Sequence, residues 1–243
     1  MQHFFVDYVD MESKKVSIGG DDYHHMKDVV RLKIGEDVVV SNKSGQDYNC
    51  VIEEYGEEAL LRVVYKYDSN CELPIKVYLF QGLPKADKFE FIIQKCVELG
   101  VSSIIPVNMK NCVVKVNDKT ANKIKRYRAI AESAANQSKR SIMPEVHDVM
   151  NFSEAIEYAK TLDKVFVPYE CADGMDKTRE LFASIREGES VGIFIGPEGG
   201  FDDSEIKKAT ECGFEIITLG KRILRTETAG MYVMSVLSYL ADR

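Results

Sequence analysis

The chain lacks any apolar run approaching the roughly 18 residues that a membrane-spanning helix requires. Its start, Met1-Gln2-His3-Phe4-Phe5, has neither the basic nor the apolar region of a secretory leader. The expectation is a cytoplasmic protein with no membrane partner. The six cysteines, Cys50, Cys71, Cys96, Cys112, Cys171 and Cys212, form no C-x-x-C pair and have no histidine at metal-ligand spacing. That pattern excludes a zinc ribbon and favours reduced, mostly buried thiols. Histidine is equally sparse: His24 and His25 are adjacent and diverge on any regular element, while His3 and His147 stand alone, so no metal site is expected. An excess of positive charge is missing too. A net charge of −7 argues against a protein that holds nucleic acid by bulk electrostatics. Neither the G-K-[ST] of a P-loop nor the G-x-G-x-x-G of dinucleotide folds occurs. Internal repeats and low-complexity segments are absent as well.

What is present is enough for a large core. With 243 residues, 45% of them hydrophobic, the chain suits a soluble enzyme of one large domain, or of a medium and a small one. Residues 1–70 read as β-rich: Phe4-Phe5-Val6, Val38-Val39-Val40, Tyr48 to Ile52 and Leu60 to Tyr67 are short β-prone runs separated by glycine-containing turns. Asp21 to Arg31 reads as one short helix between them. The polar stretch Asp68 to Pro74 marks a boundary. From Ile75 the pattern alternates strand and helix. Ile75 to Phe80 is a strand, Phe89, Ile92, Ile93, Cys96 and Val97 recur at helical spacing up to Gly100, and Ser103 to Val107 is the next strand. A long helix from Asp118 to Ser138 buries Ile124, Tyr127, Ala131 and Ala134. The alternation continues with helices over 153–162 and 178–186, strands over 165–168, 191–195 and 215–219, and a closing helix from Thr226. It predicts an α/β fold with a mostly parallel sheet covered on both faces.

Two short runs carry the chemistry. In Gly196-Pro197-Glu198-Gly199-Gly200 the glycines permit a tight turn and close backbone approach to a ligand, and Asp202 with Glu205 forms a capping box for the following helix. Alone, this run is equally a structural strand-to-helix turn. In Leu219-Gly220-Lys221-Arg222-Ile223-Leu224-Arg225-Thr226-Glu227-Thr228, apolar Ile223 and Leu224 sit where a turn is normally polar, a surface suited to an adenine ring. Thr226 is placed to cap the last helix, with Ala229, Val233, Val236, Leu237 and Leu240 as its buried stripe. Met231, Met234, Ser235 and Ser238 are left as partly buried core or a dimer face. Both runs leave strands at the same end of a parallel sheet, the usual ligand edge. Basic residues also cluster, from Lys110 through Lys123, Lys125, Arg126 and Arg128 to Arg140, and again at Lys221, Arg222 and Arg225. One such run is ordinarily a solvated helix face; two on an acidic chain point to a local polyanion site.

Together these runs resemble the S-adenosylmethionine site of SPOUT (α/β-knot) RNA methyltransferases, and the chain is similar over its whole length to the bacterial RsmE family. Lys85-Ala86-Asp87-Lys88, Glu98-Leu99-Gly100-Val101, Gln137-Ser138-Lys139-Arg140 and Pro168-Tyr169-Glu170 stand where that family's pattern expects them. The resemblance implies a small PUA-like β-barrel over 1–70, a methyltransferase domain over 74–243 with a deep C-terminal trefoil knot, and a homodimer. It implies S-adenosylmethionine-dependent methylation of N3 of a uridine in 16S ribosomal RNA of the small ribosomal subunit, without a metal. The methyl-donor pocket maps onto Gly196, Pro197, Glu198, Gly199, Leu219, Gly220, Ile223, Leu224, Arg225 and Thr226. Arg225 and Glu227 are the catalytic candidates, although Glu227 equally suits a first-turn carboxylate that favours the helix dipole. Arg31, Lys85, Lys88, Lys115, Gln137, Lys139, Arg140 and Arg222 are the implied RNA contacts. His3, Asn111 and Asn136 depart from the family pattern, and all three are expected to bear on RNA contact or domain placement and not on the donor site. Competing readings are 2′-O-methylation of transfer RNA and a PUA-like RNA-binding or assembly protein without catalysis.

Overall fold

A computed structural model describes residues 1–69, 71–85, 87–114, 119–172 and 174–241, with backbone alone over 119–122. The chain divides into two compact units. The first comprises Met1–Glu72 and Ala135–Met143; the second comprises Leu73–Ala134 and Pro144–Arg243.

Among the described residues the first unit holds five strands: β1 (Gln2–Phe5), β2 (Lys15–Ile18), β3 (Asp37–Ser41), β4 (Gln46–Tyr55) and β5 (Ala59–Asp68). Their order is β1-β3-β4-β5-β2, with β1 and β3 parallel and the other pairs antiparallel. No ladder joins β1 to β2, so the expected barrel is a half-barrel. Strand alternation sends Val16, Ile18, Val38, Val40, Leu61 and Val63 inward around Met26, and this cluster is the unit's core. The helix expected over 21–31 changes winding midway. α1 (Gly20–His24) passes into a π-helical turn, His25–Val29, and Arg31 leaves it with φ +61°.

The segment Ala135–Met143 belongs to this unit for a reason that lies in the supposed boundary stretch. Glu72 Oε1 accepts the N–H groups of Ser141 and Ile142, each at 2.9 Å, while Oε2 takes Nη2 of Arg140 at 2.7 Å. Ser141 Oγ in turn donates to Asp47 Oδ2 at 2.7 Å, and Asp47 also accepts from Ser41, which His3 Nε2 meets at 2.5 Å. His3 is therefore part of a buried polar chain. Burial lowers its pKa below the ordinary 6.5, only partly offset by the Asp47 charge and by Asn136 beside it.

The second unit alternates β6 (Lys76–Gly82), α2 (Lys88–Glu98), β7 (Ser103–Asn108), α3 (Lys119–Gln137, whose last residues count with the first unit), β8 (Glu145–Val146), β9 (Met150–Asn151), α4 (Phe152–Ala159), β10 (Lys164–Pro168), α5 (Met175–Ala183), β11 (Ser190–Ile195), α6 (Asp203–Glu211), β12 (Glu215–Ile217) and α7 (Thr226–Ala241). All ladders are parallel, in the order β12-β10-β11-β6-β7-β8, with β9 beside β7. Buried on both faces, the strands are nearly continuous apolar runs. Phe80, Val165, Val167 and Phe194 turn toward α4 and α6, whereas Phe166 turns the other way to meet Phe182 of α5. α2 packs on α7. It buries Phe89, Ile92, Ile93, Cys96 and Val97, as its spacing predicts.

α2 ends as its glycine dictates. Gly100 takes φ +93° and donates to Val97 O at 3.0 Å, while the Val101 N–H reaches Cys96 O at 2.9 Å, the paired bonds of a Schellman stop. α7 differs from expectation. Its buried face is Thr226, Gly230, Val233, Met234 and Leu237; Ala229, Val236 and Leu240 are only half-buried. The open question about Met234 is thereby answered as core, since it is fully covered, while Ser235 is exposed.

Candidate active site at the carboxyl edge of the parallel sheet

β12, β10 and β11 are neighbours, so the loops that follow Ile217, Pro168 and Ile195 leave the same edge of the sheet side by side. They enclose a cavity of about 770 Å³, joined by Lys88 from the start of α2 and by Thr226 and Ala229 from α7. All ten residues expected to hold a methyl donor line this cavity: Gly196, Pro197, Glu198, Gly199, Leu219, Gly220, Ile223, Leu224, Arg225 and Thr226. Their backbone is open to close approach where it matters. Gly220 has φ +107° and nothing within 4 Å of the place a Cβ would occupy.

The first loop is built tightly. Gly200 donates to Pro197 O at 2.9 Å across a turn, and a Cβ on Gly82 would stand 2.7 Å from Pro197, so the end of β6 supports the loop only as glycine. Asn111 Nδ2 donates to Gly199 O at 3.2 Å and to Gly200 O at 3.3 Å. That corrects the expectation for Asn111: it braces a cavity loop. The capping box forms as expected, with Asp202 and Glu205 each accepting the other's backbone N–H region at the start of α6. Hydrogen bonds from Ser204 and then from Lys110 hold the Asp202 carboxyl down at about 2.

Thr226 does not cap α7. It is the first helical residue, and Arg225 O accepts the first helical bond, from Ala229 at 2.8 Å. The Thr226 hydroxyl instead donates to Gly196 O at 2.6 Å and accepts from Gln81 Nε2 at 2.8 Å. One hydroxyl thus ties the two cavity loops together. Gln81 was missed by sequence reasoning, although a fully buried amide ending the apolar run of β6 is itself a signal.

Of the catalytic candidates, Arg225 is exposed on the cavity wall, while Glu227 lies outside the lining, beside Lys88. Lys88 Nζ meets Glu198 Oε1 at 3.0 Å and Glu227 Oε2 at 3.5 Å. It is therefore engaged by two carboxylates, which removes it from the free cations that an RNA phosphate would find. Arg140 is corrected likewise: it is 3% exposed, and its guanidinium grips Glu72. Arg31, Lys85, Gln137, Lys139 and Arg222 are exposed; Lys115 lies outside the described residues. Ile223 is 84% exposed, so its side chain does not pack as an apolar wall, whereas Leu224 is half-buried. Among the described residues no group of three or more acidic, histidine or cysteine side chains is gathered to hold a metal, and no helix is long and apolar enough to cross a membrane.

A family model described as an RNA methyltransferase domain matches residues 71–238, and one described as an RNA methyltransferase PUA domain matches 18–63. The chain belongs to this RNA methyltransferase family. The ribosomal RNA small subunit methyltransferase E of Bacillus subtilis (strain 168) is 37% identical over 250 residues, which span 100% of this chain and 98% of the relative. Among solved structures, a ribosomal RNA small subunit methyltransferase E from Neisseria gonorrhoeae, bound to S-adenosyl methionine, superimposes with a TM-score of 0.86 at 27% identity over 99% of this chain and 98% of that one. A putative methyltransferase from Legionella pneumophila, in complex with the same cofactor, gives 0.84 at 28% identity, covering 98% and 96%. The PUA-domain match lies within the first unit, and the methyltransferase-domain match covers most of the second together with Ala135–Met143 of the first.

Proposed function

We propose that the chain transfers a methyl group from S-adenosylmethionine to N3 of a uridine in 16S ribosomal RNA of the small subunit. The observation that carries this reading is the cavity at the carboxyl edge, lined by all ten expected donor residues in a chain akin to methyltransferase E along its full length. The residues fit the donor. A space of about 770 Å³ lies in the range of nucleoside-sized sites, Pro197, Leu219 and Leu224 offer apolar contact, and bare backbone at Gly220 allows close approach.

When bound, S-adenosylmethionine supplies an electrophilic methyl on a sulfonium. The chain's own residues do the rest. Gly196 to Gly199 and Leu219 to Thr226 hold and align the donor, which is the largest part of such catalysis. Uracil N3 carries a proton, and negative charge spreads to O2 and O4 as it leaves. Arg225, on the cavity wall, stabilises that charge. Glu227, next to Lys88 outside the lining, is the group to orient Arg225 or to help accept the proton. Exposed Arg31, Lys85, Gln137 and Lys139, and Arg222 of the cavity lining, take RNA phosphates. A homodimer, a knotted C-terminal chain and a cytoplasmic location belong to the same proposal.

The test is product mapping. Unmodified small subunits incubated with the protein and donor are expected to gain one N3-methyluridine, located by mass spectrometry of RNA fragments. A 2′-O-methyl product, or donor binding without any transfer, overturns the reading.

A further inference from the structure

Gln81 is out of character with the sheet around it. It follows the apolar run of β6, fully buried, in register with Ile195 of β11 on one side and Pro106 of β7 on the other. Its Oε1 is buried without a hydrogen-bond partner among the described residues and lies against α7, where a Cβ on Gly230 would stand 3.6 Å away. Burying an amide and leaving its oxygen unpaired costs stability that an apolar residue would not. A local rule broken at such a place points to what the other end of the side chain does.

That end is Nε2, which donates to Gly82 O at 3.0 Å and to Thr226 Oγ1 at 2.8 Å. The direction of these bonds is determined. A reversed amide would set Oε1 against Gly82 O, one acceptor facing another, so the N–H group lies there. Thr226 then receives a proton from Gln81 and has a single proton of its own to give, which goes to Gly196 O at 2.6 Å. Gly196 O is the only hydrogen-bonding group of its peptide, because Pro197 brings no N–H. On its other side Pro197 sits close over Gly82, where a Cβ would come within 2.7 Å of its N and Cδ. The Gly196–Pro197 peptide is thus held by two groups, and Gln81 is bonded to both.

We propose that Gln81 is a positioning residue of the methyl-donor site: its amide turns the Thr226 hydroxyl onto Gly196 O and so fixes the Gly196–Pro197 peptide at the start of the donor loop. Gln81 lies outside the cavity lining, whereas Thr226, Gly196 and Pro197 are in it, so its effect on the donor passes through them. With the hydroxyl pre-set, the loop holds its receiving shape before the donor arrives, and less ordering is left to binding. Without the amide, the hydroxyl proton is no longer committed to Gly196 O. The inference rests on the donor of the proposed function and is independent of which base accepts the methyl group.

The full-length protein tests it with Gln81→Met, Thr226→Val, Thr226→Ser, and Gln81→Met combined with Thr226→Val. Calorimetry with S-adenosylmethionine is expected to show about tenfold weaker binding in Gln81→Met, the scale of one hydrogen bond lost from a buried site. Thr226→Ser, which keeps the hydroxyl, is expected to bind close to wild type. The double variant is expected to bind within about twofold of Thr226→Val, since a residue that acts through Thr226 has nothing left to act on. In ligand-free protein, amide hydrogen exchange over 196–201 is expected to quicken several-fold in Gln81→Met, with exchange across α4 unchanged. Gln81→Glu, nearly the same shape but unable to donate when ionised, replaces Gln81→Met should that variant fail to fold. Wild-type donor affinity in a folded Gln81 variant overturns the inference. So do losses that add in the double variant, or faster exchange spread over the whole unit, which would make Gln81 a plain support of the sheet. If the wild-type protein binds no donor, the proposed function fails, and hydrogen exchange still reports whether Gln81 holds the loop.

Discussion

Arg225 is exposed at the cavity, with no ion-pair partner among the described residues, which is the condition of a charge held ready for a ligand and not spent on the fold. Lys221 and Arg222 on the same loop are exposed as well. Replacing Arg225 by alanine is expected to leave donor affinity within a few-fold and to cut turnover by about 10²-fold, the typical loss when one charge-stabilising group is removed. Calorimetry with the donor and single-turnover methyl transfer separate the two effects. Loss of both would mean that the arginine builds the cavity. At this scale sequence pattern identified which residues cluster but misjudged several roles. Lys88 and Arg140 look like free cations in a basic chain, and only their partners, Glu198, Glu227 and Glu72, remote in sequence, reveal them as engaged. Asn111 is similar: its amide means nothing until Gly199 and Gly200 are beside it.

Elements were more legible than roles, because apolar periodicity is a local property. α2, α3 and the strands β6, β7, β10 and β11 fall where their patterns put them, and Gly100 stops α2 by the conformation that only glycine adopts cheaply. β2, β8 and β9 escaped because runs of two to four residues carry too little periodicity. The short polar chain linking β1, β3 and β4 through His3, Ser41 and Asp47 carries a pH dependence. The folded His3 pKa lies below 6.5, so below that pH the unfolded chain takes a proton that the folded one refuses. The contribution is complete above about pH 6.5 and is lost as pH falls toward the folded value. Melting temperature is expected to drop between about pH 7.5 and 5.5, and the drop is expected to flatten in His3→Gln, as scanning calorimetry would show. An equal drop in both proteins would assign the dependence elsewhere.

Across the whole molecule the charge is −7, so any grip on RNA is local. On α3, Arg126 pairs with Glu90 and Arg128 with Asp148, which leaves exposed Lys123 and Lys125 to act on phosphate. Substituting both by alanine is expected to lower the slope of log affinity against log salt by roughly 1.5. Filter binding of ribosomal RNA over a salt series measures it, and an unchanged slope would place the RNA on another surface.

The sequence by itself determined the α/β alternation, the helix stop at Gly100, and the two glycine-bearing loops with their donor-type residues. Each of these follows from residues close together along the chain, where backbone preference and apolar spacing act directly. Tertiary structure alone decided that Thr226 joins Gln81 to Gly196, that Ala135–Met143 returns to the first unit through Glu72, and that one lysine serves two carboxylates. Those outcomes depend on polar groups meeting across long sequence separations, where burial fixes which partner is available and no local pattern records it.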